Sequence, residues 1–157
     1  MEDLKTMPNK WLVAHDFSKC AQAALDFALR QLDGQPAVLV LLHVHQPIVS
    51  QFPSPFVGSS TTLTDLDSGV LKDAKNQLDA TAATVRQQYP KLDVTADVRV
   101  GYPPERIVEV AKAENVDLIL VGSHGRRGFK RWVLGSVAER VVRLADRPVS
   151  VVKTADA

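Results

Sequence analysis

Two kinds of apolar pattern alternate along the chain. Trp11–Ala14, Ala37–Val44, Val94–Val100, Leu118–Val121 and Val149–Val152 are short runs rich in Val, Leu and Ile. The second and fourth are almost continuously apolar. That predicts strands covered on both faces, as in a parallel sheet. The third alternates, with Val94, Ala96, Val98 and Val100 on one face and Thr95, Asp97 and Arg99 on the other. It predicts an edge strand, or one covered on a single side.

Between these runs the period becomes helical. Ser18 is an N-cap candidate ahead of Ala21, Ala24, Leu25, Ala28, Leu29 and Leu32, and Gly34 ends the segment. The alanines in this stripe predict a helix that approaches its sheet closely. A longer helix is predicted over Asp65–Tyr89, with Leu66, Val70, Leu71, Ala74, Leu78 and Val85 inward and Pro90 as its stop. A third opens at Pro103-Pro104 and carries Ile107, Val110 and Ala111. A fourth opens near Gly135-Ser136, carries Val137, Val141 and Leu144, and closes before Pro148.

The order β-α-β-α-β-α-β-α-β predicts an α/β fold, a parallel sheet joined by right-handed crossovers. With both faces covered, the strand order must reverse somewhere. Ligands sit at that switch point, beyond the carboxyl ends of the strands. The pattern alone does not give the order. Gln46–Thr64, with Pro47, Pro53, Pro55 and Gly58, is a long irregular segment of a kind that is usually functional or mobile. Neither side of it completes a core, so the chain reads as one domain over residues 1–157.

Composition narrows the class of partner. With 157 residues, 45% apolar and 24% charged, the chain can build one core and is not a disordered one. A net charge of +1 gives no strong field toward nucleic acid or a membrane, so electrostatic specificity must be local. The first ten residues lack the apolar stretch of a secretory leader, and the run Ala37–Leu42 is too short to span a bilayer. Cys20 is the single cysteine, which excludes an intrachain disulfide. The expectation is a cytoplasmic protein with neither a nucleic-acid nor a membrane partner.

The candidate chemistry follows the fourth strand. Gly122-Ser123-His124-Gly125 is succeeded, nine residues later, by Gly135-Ser136, which opens the last helix. Glycines allow tight turns and close backbone approach. A helix N-terminus presents unpaired N–H groups and partial positive charge to an anion, and Ser136 adds a hydroxyl. Two such elements facing one crevice would cradle phosphates. The insert between them is basic, with Arg126, Arg127, Lys130 and Arg131. Taken alone, the same residues also describe an ordinary loop with a Gly/Ser helix cap and solvated charges. The spacing is neither that of a P-loop nor that of a dinucleotide fingerprint. Asp16 ends the first strand, where a carboxylate can accept ribose hydroxyls, bind a metal, or cap the next helix.

These pieces together resemble the universal stress protein family over almost the whole chain. They are the opening strand with Asp16 and Ser18, the strand end Leu42-His43-Val44, the Asp117–Gly122 strand, and the pattern Gly122-x2-Gly125-x9-Gly135-Ser136. The last is the pattern of the family's ATP-binding branch. The resemblance implies a five-stranded sheet in order 3-2-1-4-5, helices on both faces, and ATP between the first and fourth strands. By position, Ala14, His15 and Asp16 would lie along the adenosine, Asp16 nearest the ribose. Val44 would meet the adenine through its backbone. Gly122, Gly125, Gly135, Ser136 and Val137 would hold ribose and phosphates, with Ser123, His124 and Arg126 completing the set. His15 departs from the small or hydroxylated residue often found before the aspartate. The resemblance also implies a homodimer through the last strands, and Val149, Val151 and Val152 would make an apolar edge that needs covering.

Other chemistries have thinner support. His15, His43, His45 and His124 all fall at or near strand ends, but no HExxH, CxxC or paired carboxylate set accompanies them. Magnesium or manganese carried on the ATP phosphates is the better expectation, and no dedicated metal site is assigned. Cys20 falls in the first turn of a helix, where a thiolate is favoured, yet it also reads as a small semi-buried residue. No GxSxG context marks a nucleophile, and no base or water-positioning residue stands out. No catalytic residue is assigned, and hydrolysis would be slow at most. The readings left are a nucleotide-binding regulatory protein, a nucleotide-independent interaction module, and a slow ATP hydrolase. The intact glycine pattern favours the first.

Overall fold

Leu12 and Val13 are adjacent, both are fully buried, and they face opposite sides of a sheet. Both sides must therefore be covered, as the continuous apolar runs predict. The computed structural model describes residues 9–47, 61–125 and 134–154. The elements run β1 (Asn9–Ala14), α1 (Lys19–Leu32), β2 (Ala37–His45), α2 (Thr61–Gln88), β3 (Leu92–Val100), α3 (Pro103–Ala113), β4 (Leu118–Gly122), α4 (Ser136–Leu144) and β5 (Val149–Val152). The strands form one parallel sheet in the order β3-β2-β1-β4-β5.

Two cores result. On one face Val13, Leu39, Leu41, Val94 and Leu120 pack against Ala24, Leu25, Ala28 and Leu29 of α1 and Leu78, Ala82 and Val85 of α2. On the other, Leu12, Val40, Leu42, Ile119 and Val121 meet Ile107, Val110 and Ala111 of α3 and Ala138 and Val141 of α4. The alanine stripe of α1 is buried as its spacing predicts. Ser18 caps α1, its Oγ accepting the Ala21 N–H at 3.1 Å. Pro103 and Pro104 open α3, where no N–H is needed.

The long helix departs from expectation at its start. It begins at Thr61 rather than Asp65. Leu66 and Val70, expected inward, are 59% and 46% exposed. The cause is length: 28 residues of helix span roughly 42 Å, while the nine-residue strands beneath span about 30 Å. The sheet ends under the first turns, where Asp67 still bonds His45 at the end of β2, and among the described residues of the helix the buried apolar ones are Ala74, Leu78, Ala82 and Val85. In α4, Ala138 and Val141 are buried while Val137 and Leu144 are exposed, because this helix flanks the four-residue strand β5 at the sheet border.

The two borders differ. At β3 the Arg86 guanidinium donates twice to the Val94 carbonyl, from Nε at 2.9 Å and Nη2 at 2.7 Å. At β5 the carbonyls of Pro148 and Val152 accept from Ile119 and Ser123 on the β4 side. Backbone directions alternate along a strand, so the groups of Val149 and Val151 point away from β4. Among the described residues no helix is long and apolar enough to cross a membrane.

Candidate functional site

The chain leaves β1 toward β2, whereas β4 lies on the other side of β1. The switch point is therefore between β1 and β4, and the loops after these two strands flank one crevice. Ala14 is the last residue of β1, and the His15 N–H still bonds the Leu42 carbonyl at 2.7 Å. Asp16 then turns the chain, its Oδ1 accepting the Ser18 N–H at 3.0 Å. Phe17, between them, has a positive φ of 65°.

The loop after β4 is pressed onto α1. A Cβ on Gly122 would fall 2.7 Å from the Cys20 carbonyl carbon and 2.9 Å from the Ala21 nitrogen. Only glycine lets β4 cross the start of α1 this closely. Ser123 is fully buried, with its Oγ 3.0 Å from His124 Nδ1 and 3.9 Å from Cys20 Sγ. Its N–H bonds the Val152 carbonyl, and its own carbonyl accepts the Gly135 N–H, both at 2.8 Å. A Cβ on Gly135 would lie 2.9 Å from that Ser123 oxygen. One on Gly125 would lie 2.8 Å from Asp16 Oδ2.

These contacts bring the first strand end, the glycine turn and the start of α4 together. Gly135 is the N-cap residue of α4, and no side chain caps that end. The N–H groups of the first turn, those of Ser136 and Val137 among them, have no partner within the helix. Ser136 and Val137 are both exposed. Val44 is half-buried near the end of β2. Since the Leu42 carbonyl points toward β1, the backbone of Val44 points the same way, past the last residue of β1. Arg126, the other basic residues of the insert and most of the Gln46–Thr64 segment lie outside the described residues.

The histidines do not converge. His43 Nδ1 donates to the His15 carbonyl at 2.8 Å, and His45 Nε2 reaches Asp67 Oδ1 at 2.6 Å. Among the described residues no group of three or more metal-ligating side chains could hold an ion. His15 is 5% exposed, and its Nδ1 accepts the Phe17 N–H at 3.2 Å, so the neutral ring carries its proton on Nε2. That atom is buried without a hydrogen bond. Burial holds the His15 pKa below the ordinary imidazole value, against the opposing pull of Gln22, Asp16 and Asp26. The ring is turned toward Phe17, with ring centres 5.3 Å apart, and Phe17 in turn packs on His43 at 4.8 Å.

Two parts of this arrangement are not in the sequence reading. Cys20 is the floor on which Gly122 rests, and Phe17 is bracketed by two histidines. Neither carried a signal, because one depends on a strand crossing a helix and the other on a backbone conformation aromatic residues rarely adopt.

The model of the universal stress protein family matches residues 7–153. The universal stress protein MJ0577 of Methanocaldococcus jannaschii is 31% identical over 158 residues, covering 96% of this chain and 98% of that one. Its solved structure superimposes with a TM-score of 0.79 at 29% identity, covering 96% and 99% of the two chains. The universal stress protein YxiE of Bacillus subtilis is 30% identical over 153 residues, covering 94% of this chain and all of its own. A universal stress protein of Archaeoglobus fulgidus, solved in complex with dAMP, shares the fold at 21% identity, with a TM-score of 0.57 and coverage of 94% and 98%.

Proposed function

The chain belongs to the universal stress protein family, and from that premise we propose that it binds ATP at the β1/β4 switch point as a nucleotide-dependent regulator. The observation that carries this reading is the meeting of Asp16, the Gly122–Gly125 turn and the start of α4. Each supplies what one part of the nucleotide needs. The Asp16 carboxylate accepts ribose hydroxyls. The N–H groups of Ser136 and Val137, with the positive end of the α4 dipole, take the phosphates. Gly122, Ser123, His124, Gly125 and Gly135 form the wall these groups rest on, and Arg126 adds positive charge. Ala14 and the Val44 backbone border the adenine. His15 lies along the adenosine with Ala14 and Asp16, its buried ring turned toward Phe17. A protein of the same fold solved with dAMP supports an adenine nucleotide as the ligand class.

Magnesium or manganese enters on the phosphates, and the protein works in the cytoplasm. Two copies join through the outward backbone of β5, where Val149, Val151 and Val152 are half-buried. The test is to denature the purified protein, identify any released small molecule by mass spectrometry, and titrate the emptied protein with ATP, ADP and AMP. Micromolar affinity is expected, about 8 kcal/mol. No released nucleotide and no heat with any of the three would overturn the reading.

A further inference from the structure

Among the described residues two that are not glycine have positive φ, Phe17 at 65° and Asn115 at 49°. Asn115 follows the end of α3, and asparagine tolerates that region. Phe17 does not, and a bulky residue there persists only when its surroundings over-determine it. The surroundings here do so from four directions. The Phe17 N–H is held by His15 Nδ1 at 3.2 Å, and the next N–H, of Ser18, by Asp16 Oδ1 at 3.0 Å. The Phe17 ring meets the His15 ring edge-on at 69° and the His43 ring at a tilt of 38°. His43 is itself fixed by its 2.8 Å bond to the His15 carbonyl.

The product of this arrangement is a direction. One oxygen of Asp16 is committed to the turn, and the other lies against Gly125. A relaxed Phe17 would rotate the peptide that joins the two residues and swing the carboxylate off that line. We propose that Phe17 is a positioning residue of the nucleotide site: its left-handed backbone, clamped by the His15 and His43 rings, aims the Asp16 carboxylate at the ribose. The assignment rests on the nucleotide reading above and adds to it a residue that touches no ligand.

The test compares ATP with inorganic tripolyphosphate, which needs the phosphate wall but not Asp16. Phe17→Val loses the rings and resists positive φ, so ATP affinity falls at least tenfold while tripolyphosphate affinity stays within twofold. Phe17→Tyr keeps the ring and restores ATP affinity to within twofold of the parent. Phe17→Asn accepts the backbone but has no ring, which keeps a folded variant in the series; it weakens ATP binding at least threefold. In an Asp16→Ala background, Phe17→Val has no further effect on ATP, because the residue acts through that carboxylate. Parent-like ATP affinity in both Phe17→Val and Phe17→Asn overturns the assignment. So does an additive loss in the Asp16→Ala background, or a parallel loss of tripolyphosphate binding. A parent protein that binds no ATP overturns the proposed function instead, so the two failures are told apart.

Discussion

Oδ2 of Asp16 lies 2.8 Å from the point where a side chain on Gly125 would begin. The loop after the first strand and the turn after the fourth thus touch across the switch point. We expect Gly125→Ala to push the carboxylate aside and lower ATP affinity about tenfold, ~1.4 kcal/mol. Tripolyphosphate binding should change little. Calorimetry with both ligands makes the comparison, and equal losses would place the conflict in the phosphate wall.

Gly135 acts differently. A side chain there meets the Ser123 carbonyl at 2.9 Å and His124 Cα at 3.3 Å, both backbone atoms. Gly135→Val must therefore move α4 away from the glycine turn. Loss of ATP and tripolyphosphate together is expected, by about a hundredfold or ~2.7 kcal/mol. Retained tripolyphosphate affinity would show that the phosphates bind away from the α4 start.

Burial holds His15 below the ordinary imidazole value of 6.5. As the pH falls below about 6.5 the unfolded chain takes up a proton that the folded chain refuses. The contribution to stability is complete above that value and declines in acid. His15→Asn keeps an acceptor for the Phe17 N–H without titrating, so urea midpoints should fall less between about pH 7.5 and 5.5 than in the parent. Equal falls would assign the acid sensitivity to other groups.

The five strands, the four helices and the crevice between two strand ends were legible because each rests on a local pattern. The continuous runs in β2 and β4 announce burial on both faces, and the alternation in β3 announces the border it occupies. Strand order came from resemblance, since nothing in a run of valines says which neighbour it takes. The outward turn of Leu66 and Val70 was illegible for a related reason: a helical stripe shows which face is apolar but not where its sheet ends. In the site, the glycines were visible as glycines, but not what each avoids. That depended on contacts between segments far apart in sequence, such as Gly122 on Cys20 and Gly135 on Ser123.

Val151 offers a test of association. Its backbone points away from β4, so Val151→Pro removes an outward N–H without breaking the β4 ladder. Sedimentation should find the parent as a dimer at tens of micromolar and the variant as a monomer, with circular dichroism unchanged. A parent that sediments as a monomer, or a variant that stays dimeric, would remove β5 from the interface.

Arg86 bears on the far side of any such pair. A strand arriving at β3 would find the Val94 acceptor already doubly occupied and a guanidinium across its path. Growth by adding strand to strand would then be open at one flank of each molecule and obstructed at the other. Two copies joined at their open flanks would present only obstructed ones to the solvent, and the assembly would stop at two rather than lengthen into a fibre.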